Sequence, residues 1–126
     1  MRKRLRLGVL VALLLGLSLY RGPEAKADCS PPSSSSYAHE TITVSNTALG
    51  FTSNLINQGA GQATFALVTV AVDNVRFWTD GTAPTATVGH IVVAGTPVSV
   101  CGFDNIKNFK MIRVTTDATV SVSYFR

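Results

Sequence analysis

Beyond its first 27 residues the chain has little charge, few leucines, few aromatics and few side chains able to ligate a metal or attack a substrate. Residues 28–126 carry five basic and six acidic side chains, a net charge of −1. The whole chain has a formal charge of +4, but six of its eleven basic residues (Arg2, Lys3, Arg4, Arg6, Arg21, Lys26) lie in the first 27. The basic balance therefore belongs to a leader, and no nucleic-acid surface is expected. Only two Cys and two His occur, with no C-x-x-C and no ligand spacing, so no metal site is expected. No G-x-S-x-G, phosphate loop, dinucleotide fingerprint or calcium loop is present. The carboxylates stand singly, and Asp73 and Asp80 fall at the two ends of one strand, where Asp ordinarily forms turns. No set of nucleophile, base and orienting group can be assembled, so the expectation is a non-enzymatic protein without a cofactor.

What is present begins with a leader. Residues 1–6 are basic, 7–20 form an apolar run, and the stretch that follows ends Ala25-Lys26-Ala27. This is the plan of a secretory signal peptide, with small residues at the cleavage positions. A spanning helix needs about 20 apolar residues, and Arg21 stops this run short. The alternative is an uncleaved leader, the only route to a membrane in this chain. Three segments are predicted: a cleaved signal peptide over 1–27, a Ser/Pro-rich linker over 28–37 and a β-domain over 38–126. Ser30-Pro31-Pro32-Ser33-Ser34-Ser35-Ser36 gives the linker little to bury, so it reads as disordered or extended.

Export would carry Cys29 and Cys101 into a compartment where disulfides persist. With two Cys one intramolecular pairing exists, and a Cys29–Cys101 bridge is predicted. Unstrained, it would stabilise the domain by about 4 kcal/mol. The alternative is a buried Cys101 thiol in an apolar strand and a free Cys29 thiol in a tail.

The mature segment holds 13 Val, 14 Thr and 5 Ile against 3 Leu, a balance that favours pleated strands. Thr41-Ile42-Thr43-Val44, Val98-Ser99-Val100-Cys101 and Val120-Ser121-Val122-Ser123-Tyr124 alternate with period two, as half-buried strands do. Residues 63–72 carry apolar side chains on both faces and predict a strand sandwiched in the middle. Further strands are read at Val75-Arg76-Phe77-Trp78, 89–93 and 108–115. Turn signals separate them at 57–61, Asp73-Asn74, Asp80-Gly81, 94–97 and Thr116-Asp117. Residues 103–108 read as a loop or one helical turn capped by Asp104. The fold class is all-β: a small antiparallel β-sandwich or jelly-roll-like domain of seven or eight strands, after a signal-like N-terminal helix.

Two residues are candidates for a contact surface, Trp78 and Tyr37. Adjacent strand residues point to opposite faces, so either Phe77 or Trp78 faces out. An exposed Trp78 would stack on a sugar ring or anchor a protein partner; the alternative is burial across a two-sided strand. His90 starts an apolar strand and reads as a structural histidine or as a pH-sensing or ligand group.

The segment Val75-Arg76-Phe77-Trp78-Thr79-Asp80-Gly81-Thr82-Ala83-Pro84-Thr85-Ala86-Thr87-Val88-Gly89-His90 resembles an R-F/Y-T-x-D-G-x-x-P-T-x-x-x-G-H pattern in small β-sandwich proteins of tailed bacteriophages. Ala94-Gly95-Thr96, Ile106-Lys107-Asn108-Phe109-Lys110-Met111-Ile112-Arg113 and 118–124 fill the places that follow in that family, so the likeness covers about 64–125. It implies a non-enzymatic virion accessory protein, decoration or tail-associated, with protein partners and self-assembly and no catalytic residue to carry over. Asp80-Gly81 would supply a turn, Pro84 a fixed loop and Gly89 a close backbone approach. The shorter stretch Phe77-Trp78-Thr79-Asp80-Gly81-Thr82-Ala83-Pro84-Thr85 is also similar to a Y-T-x-D-G-S-x-P-T stretch in β-sandwich modules of secreted carbohydrate-active enzymes. That likeness implies an exported binding or adhesion module with a carbohydrate ligand. The expected location is periplasmic or extracellular if the leader is cleaved, and virion-associated otherwise.

Overall fold

Among the described residues the period-two alternation in the sequence is realised as nine strands in three sheets, with two short helices. The computed structural model describes residues 29–126, so the predicted signal peptide and its helix lie outside the described residues. In chain order the elements are β1 (Ala38–Val44), α1 (Ser53–Ile56), β2 (Asn57–Gln58), β3 (Gly61–Gln62), β4 (Phe65–Ala71), β5 (Val75–Trp78), β6 (His90–Val92), β7 (Pro97–Cys101), α2 (Phe103–Lys107), β8 (Lys110–Arg113) and β9 (Ala118–Phe125). A four-stranded sheet runs β1-β9-β4-β7, a three-stranded sheet runs β6-β5-β8, and β2 pairs with β3 alone. Every pairing is antiparallel.

β9 shows how the sequence sets the layers. Ala118, Val120, Val122 and Tyr124 are buried, and the residues between them, Thr119, Ser121, Ser123 and Phe125, turn the other way. Register places Val122 beside Val68 of β4 and Val120 beside Val70, so two apolar rows run across the β9-β4 pair. Val75, Val92 and Met111 of the three-stranded sheet join the same core, giving a sandwich-like pair of sheets. Each Val or Met withdrawn from water there contributes about 1.5–3 kcal/mol.

Three local expectations change. The turn expected at 57–61 is the two-residue hairpin β2-β3, which accounts for the extra strands. The strand expected over 63–72 is one-sided over most of its length, because Leu67 is 37% exposed and Thr69 and Ala71 face solvent. Residues 103–107 do form a helical turn, but its N-cap is Gly102 and no side chain caps it. Asp104 lies inside the helix's first turn, past the position from which it could cap.

The free edge of β8 is covered by the segment that follows β1. Leu49 and Met111 exchange backbone hydrogen bonds of 3.0 and 2.8 Å, and Arg113 N–H donates to Ser45 O at 3.1 Å. Gly50 permits that approach, since a Cβ there would lie 2.6 Å from the Phe109 carbonyl oxygen. On the other sheet face, Arg76 fastens the 79–89 loop by donating to Ala86 O (3.0 Å) and Gly89 O (2.8 Å). Gly89 has φ 129°, and a Cβ there would stand 3.1 Å from Pro84 Cβ and 3.2 Å from Phe77 O. Only glycine meets both demands without strain. The segment from Arg76 to Gly89 thus closes as a clamped loop.

Candidate contact surface

Register assembles the polar positions of the alternating strands into one surface. On the outer face of the four-stranded sheet, Thr43 and Thr119 lie beside Ala71; Thr41, Ser121 and Thr69 form the next row; His39, Ser123, Leu67 and Ser99 form a third. Strands stand about 4.8 Å apart, and successive outward residues about 6.8 Å apart along each strand. The result is a hydroxyl-rich lattice with Leu67 in its third row, between Ser123 and Ser99, and no carboxylate, Lys or Arg within it.

The aromatic candidates are placed differently from one another. Trp78 lies on the outer face of the three-stranded sheet, opposite Lys110 and half-buried. Its indole meets His90 edge-on, with centroids 4.8 Å apart. Phe77 turns inward, stacks on Phe109 at 5.0 Å and also touches His90. The structure therefore separates the Phe77-Trp78 pair across the sheet, with His90 shielding part of the indole. Tyr37 is half-buried before β1: its hydroxyl donates to Leu55 O at 3.0 Å, and the Arg126 guanidinium sits 4.0 Å above its ring. Cys29 and Cys101 are joined as a disulfide, with Cα atoms 5.6 Å apart.

Most charged side chains hold loops. Asp73 accepts from the backbone N–H of Thr115 and Thr116, both at 2.7 Å, and these bonds hold its carboxyl below the usual range. Asp80 accepts from Thr82 N–H at 2.9 Å in its own turn, with the same effect. Arg113 pairs with Asp117. A shallow groove of about 380 Å³ runs between Thr85-Ala86 and Ile112-Thr115, and its one charged lining group is that paired Arg113. Among the described residues no group of three or more His, Cys, Asp or Glu could hold a metal ion, and no helix is long and apolar enough to cross a membrane.

Glu40 is the polar residue that sequence reasoning missed. It shares the inward phase of Ile42 and Val44 in β1, a carboxylate on the apolar side of an alternating strand; that phase was the available signal. Thr52 donates to it twice, from N–H at 3.0 Å and from Oγ1 at 2.6 Å, and the buried Tyr124 hydroxyl donates to its Oε1. Burial first, and then the Glu40 carboxylate, push the Tyr124 hydroxyl far above its ordinary value. The folded state thus keeps this phenol neutral, and the associated stability is complete below the unfolded tyrosine value of about 10. Above it the unfolded chain ionises while the folded chain does not. Stability is expected to fall as pH rises beyond about 10, and Tyr124→Phe should flatten that fall while costing about 1.5–3 kcal/mol at neutral pH. Urea midpoints measured on both sides of pH 10 check both statements; an equally steep fall in the variant would assign the effect elsewhere.

The chain matches no family model, and it has no significant match among curated proteins or solved structures.

Proposed function

We propose that this protein is a non-enzymatic interaction module that meets protein partners, further copies of itself among them, through the outer face of the β1-β9-β4-β7 sheet. The observation that carries the reading is the hydroxyl-rich lattice, without carboxylate, Lys or Arg, in which Leu67 stands between Ser123 and Ser99. Covering such a face strips no ion of its water, which is the costly step in burying a charged surface. Its hydroxyls both donate and accept, so they adapt to a partner's polar groups. The resemblance to phage virion accessory proteins supports this reading, as does the covering of the β8 edge by residues 45–49, which leaves the four-stranded sheet's outer face as the broad surface without carboxylate, Lys or Arg. A second reading, an exported module binding neutral carbohydrate, is favoured by the Cys29–Cys101 bridge, because such bridges persist in oxidising compartments. In that reading Trp78 supplies a stacking ring.

Sedimentation velocity over a concentration series tests the first reading. The wild type is expected to self-associate, and Ser121→Lys, which sets a charge in the middle row, should leave it monomeric at the same concentrations. A wild type that stays monomeric throughout, or a Ser121→Lys variant that associates equally well, overturns it. Retardation on neutral polysaccharide gels that Trp78→Ala abolishes would transfer the conclusion to the carbohydrate reading.

A further inference from the structure

Phe65 is buried in an unusual place. Alternation along β4 turns it to the outer face, with Leu67 and Thr69, yet it is 3% exposed, and it lies outside the main core cluster. Its neighbours across the sheet are Phe125, whose ring meets it edge-on at 5.6 Å, and Cys101. Cys101 is bonded to Cys29, from which the chain travels back to β1, where Tyr37 N–H donates to Tyr124 O at 3.0 Å. Residues 29–36 therefore cross the end of the sheet from β7 to β1, passing β4 and β9. Three strand spacings are about 14 Å, well within the reach of eight residues. Along the way Ser34 Oγ donates to Arg126 O at 3.4 Å, and Pro32 is half-buried while its neighbours are exposed. The segment is a strap, and its low-complexity sequence gives it little apolar surface of its own.

We propose that this strap is a redox-released cover: reduction of the Cys29–Cys101 bridge by a dithiol frees residues 29–36 and exposes Phe65 beside the hydroxyl face. Cys29 is exposed and Cys101 half-buried, so the outer sulfur is the accessible one. A dithiol thiolate attacks Cys29 Sγ, the Sγ–Sγ bond breaks, and Cys101 leaves as a thiolate that takes up a proton. The second thiol then attacks the mixed disulfide, Cys29 is released as a thiol, and the reductant departs as its own disulfide. The protein gains two electrons and two protons. Release ends at Tyr37, because its hydroxyl bond to Leu55, the Arg126 cation over its ring and the seven-residue β1-β9 register are independent of the bridge. Exposed hydrogen bonds of the strap compete with water and hold it weakly once the covalent tie is gone.

Hydrogen–deuterium exchange on the oxidised protein, repeated after reduction with dithiothreitol, tests the proposal, with binding of an apolar fluorescent dye as a second readout. Expected are faster exchange in peptides covering 29–36 and, at the start of β4, a rise about tenfold greater than the rise that the lower global stability brings to β5 and β8. Dye binding should appear on reduction, appear without reductant in Cys29→Ser, and disappear when Phe65→Ser is added. Exchange that is unchanged at 29–36 and β4, or that rises at β4 by no more than at β5 and β8, overturns the proposal. So does dye binding of equal strength in the oxidised protein. None of these readouts depends on the contact-face reading.

Discussion

Replacing both cysteines, Cys29→Ser with Cys101→Ser, is expected to lower the free energy of unfolding by about 4 kcal/mol and the melting midpoint by about 20 °C. The bridge joins residues 72 apart in sequence, so it closes the chain from Cys29 to Cys101 into one loop and removes a large share of the unfolded chain's freedom. Its Cα separation of 5.6 Å lies in the range that disulfides reach without moving the backbone. A domain of this size has about 5–15 kcal/mol of net stability, so the remaining interactions still hold the sheets together without it. The origin of the loss can be read from the same urea titration. An effect exerted on the unfolded chain raises the denaturant slope as well as lowering the midpoint, because the uncross-linked chain expands further. A loss below about 1 kcal/mol would mean that the bridge constrains little that the sheets do not already constrain.

What could be read in advance divides according to the range of the interaction. Strand positions follow from neighbours in sequence: Val120-Ser121-Val122-Ser123-Tyr124 can satisfy one apolar face only as a strand, and β9 is that strand. The Asp80-Gly81 turn and the tight seat of Gly89 are local in the same sense. Strand order is not. Nothing near Thr41 says that Ser121 and then Thr69 will stand beside it, since every alternating strand offers the same face to every other. The hydroxyl surface was therefore legible only as scattered polar positions. Two-sided apolarity in 63–72 misled for a related reason: Phe65 is buried beside Phe125 and the bridged Cys101, both distant in sequence, while Leu67 on the same face lies between Ser123 and Ser99 and stays 37% exposed. Glu40 was overlooked because its partners, Thr52 and Tyr124, are distant in sequence. Its phase within β1 was visible, and a carboxylate in step with Ile42 and Val44 demands partners from elsewhere in the fold.

The same contrast between local pattern and long-range assembly sets the second large effect. Phe109 lies between α2 and β8, in a stretch whose alternation marks it only as one apolar residue among several. In the folded protein its ring is the middle of a stack, 4.5 Å from Phe51 and 5.0 Å from Phe77, with interplanar angles of 8° and 16°. Phe51 in turn meets the buried Tyr124 edge-on at 5.8 Å. The stack joins the segment after β1, the start of β8 and the middle of β5, and Tyr124 links it to the four-stranded sheet. Phe109→Ala removes the central ring and leaves a void whose walls are held by separate elements: Gly50 is packed against the Phe109 carbonyl, and Phe77 is fixed within β5. Those walls cannot close on the void, so the cost is expected at the upper end of about 3–5 kcal/mol. Phe125→Ala, at a half-buried position on the outer face, should cost well under half as much. Urea unfolding of both variants checks the contrast. Near-ultraviolet circular dichroism of Phe109→Ala should lose the stack's signal while the far-ultraviolet strand signal stays. A cost near 1 kcal/mol for Phe109→Ala would mean that Phe51 and Phe77 collapse together and that the two sheets are joined more loosely than their shared core implies.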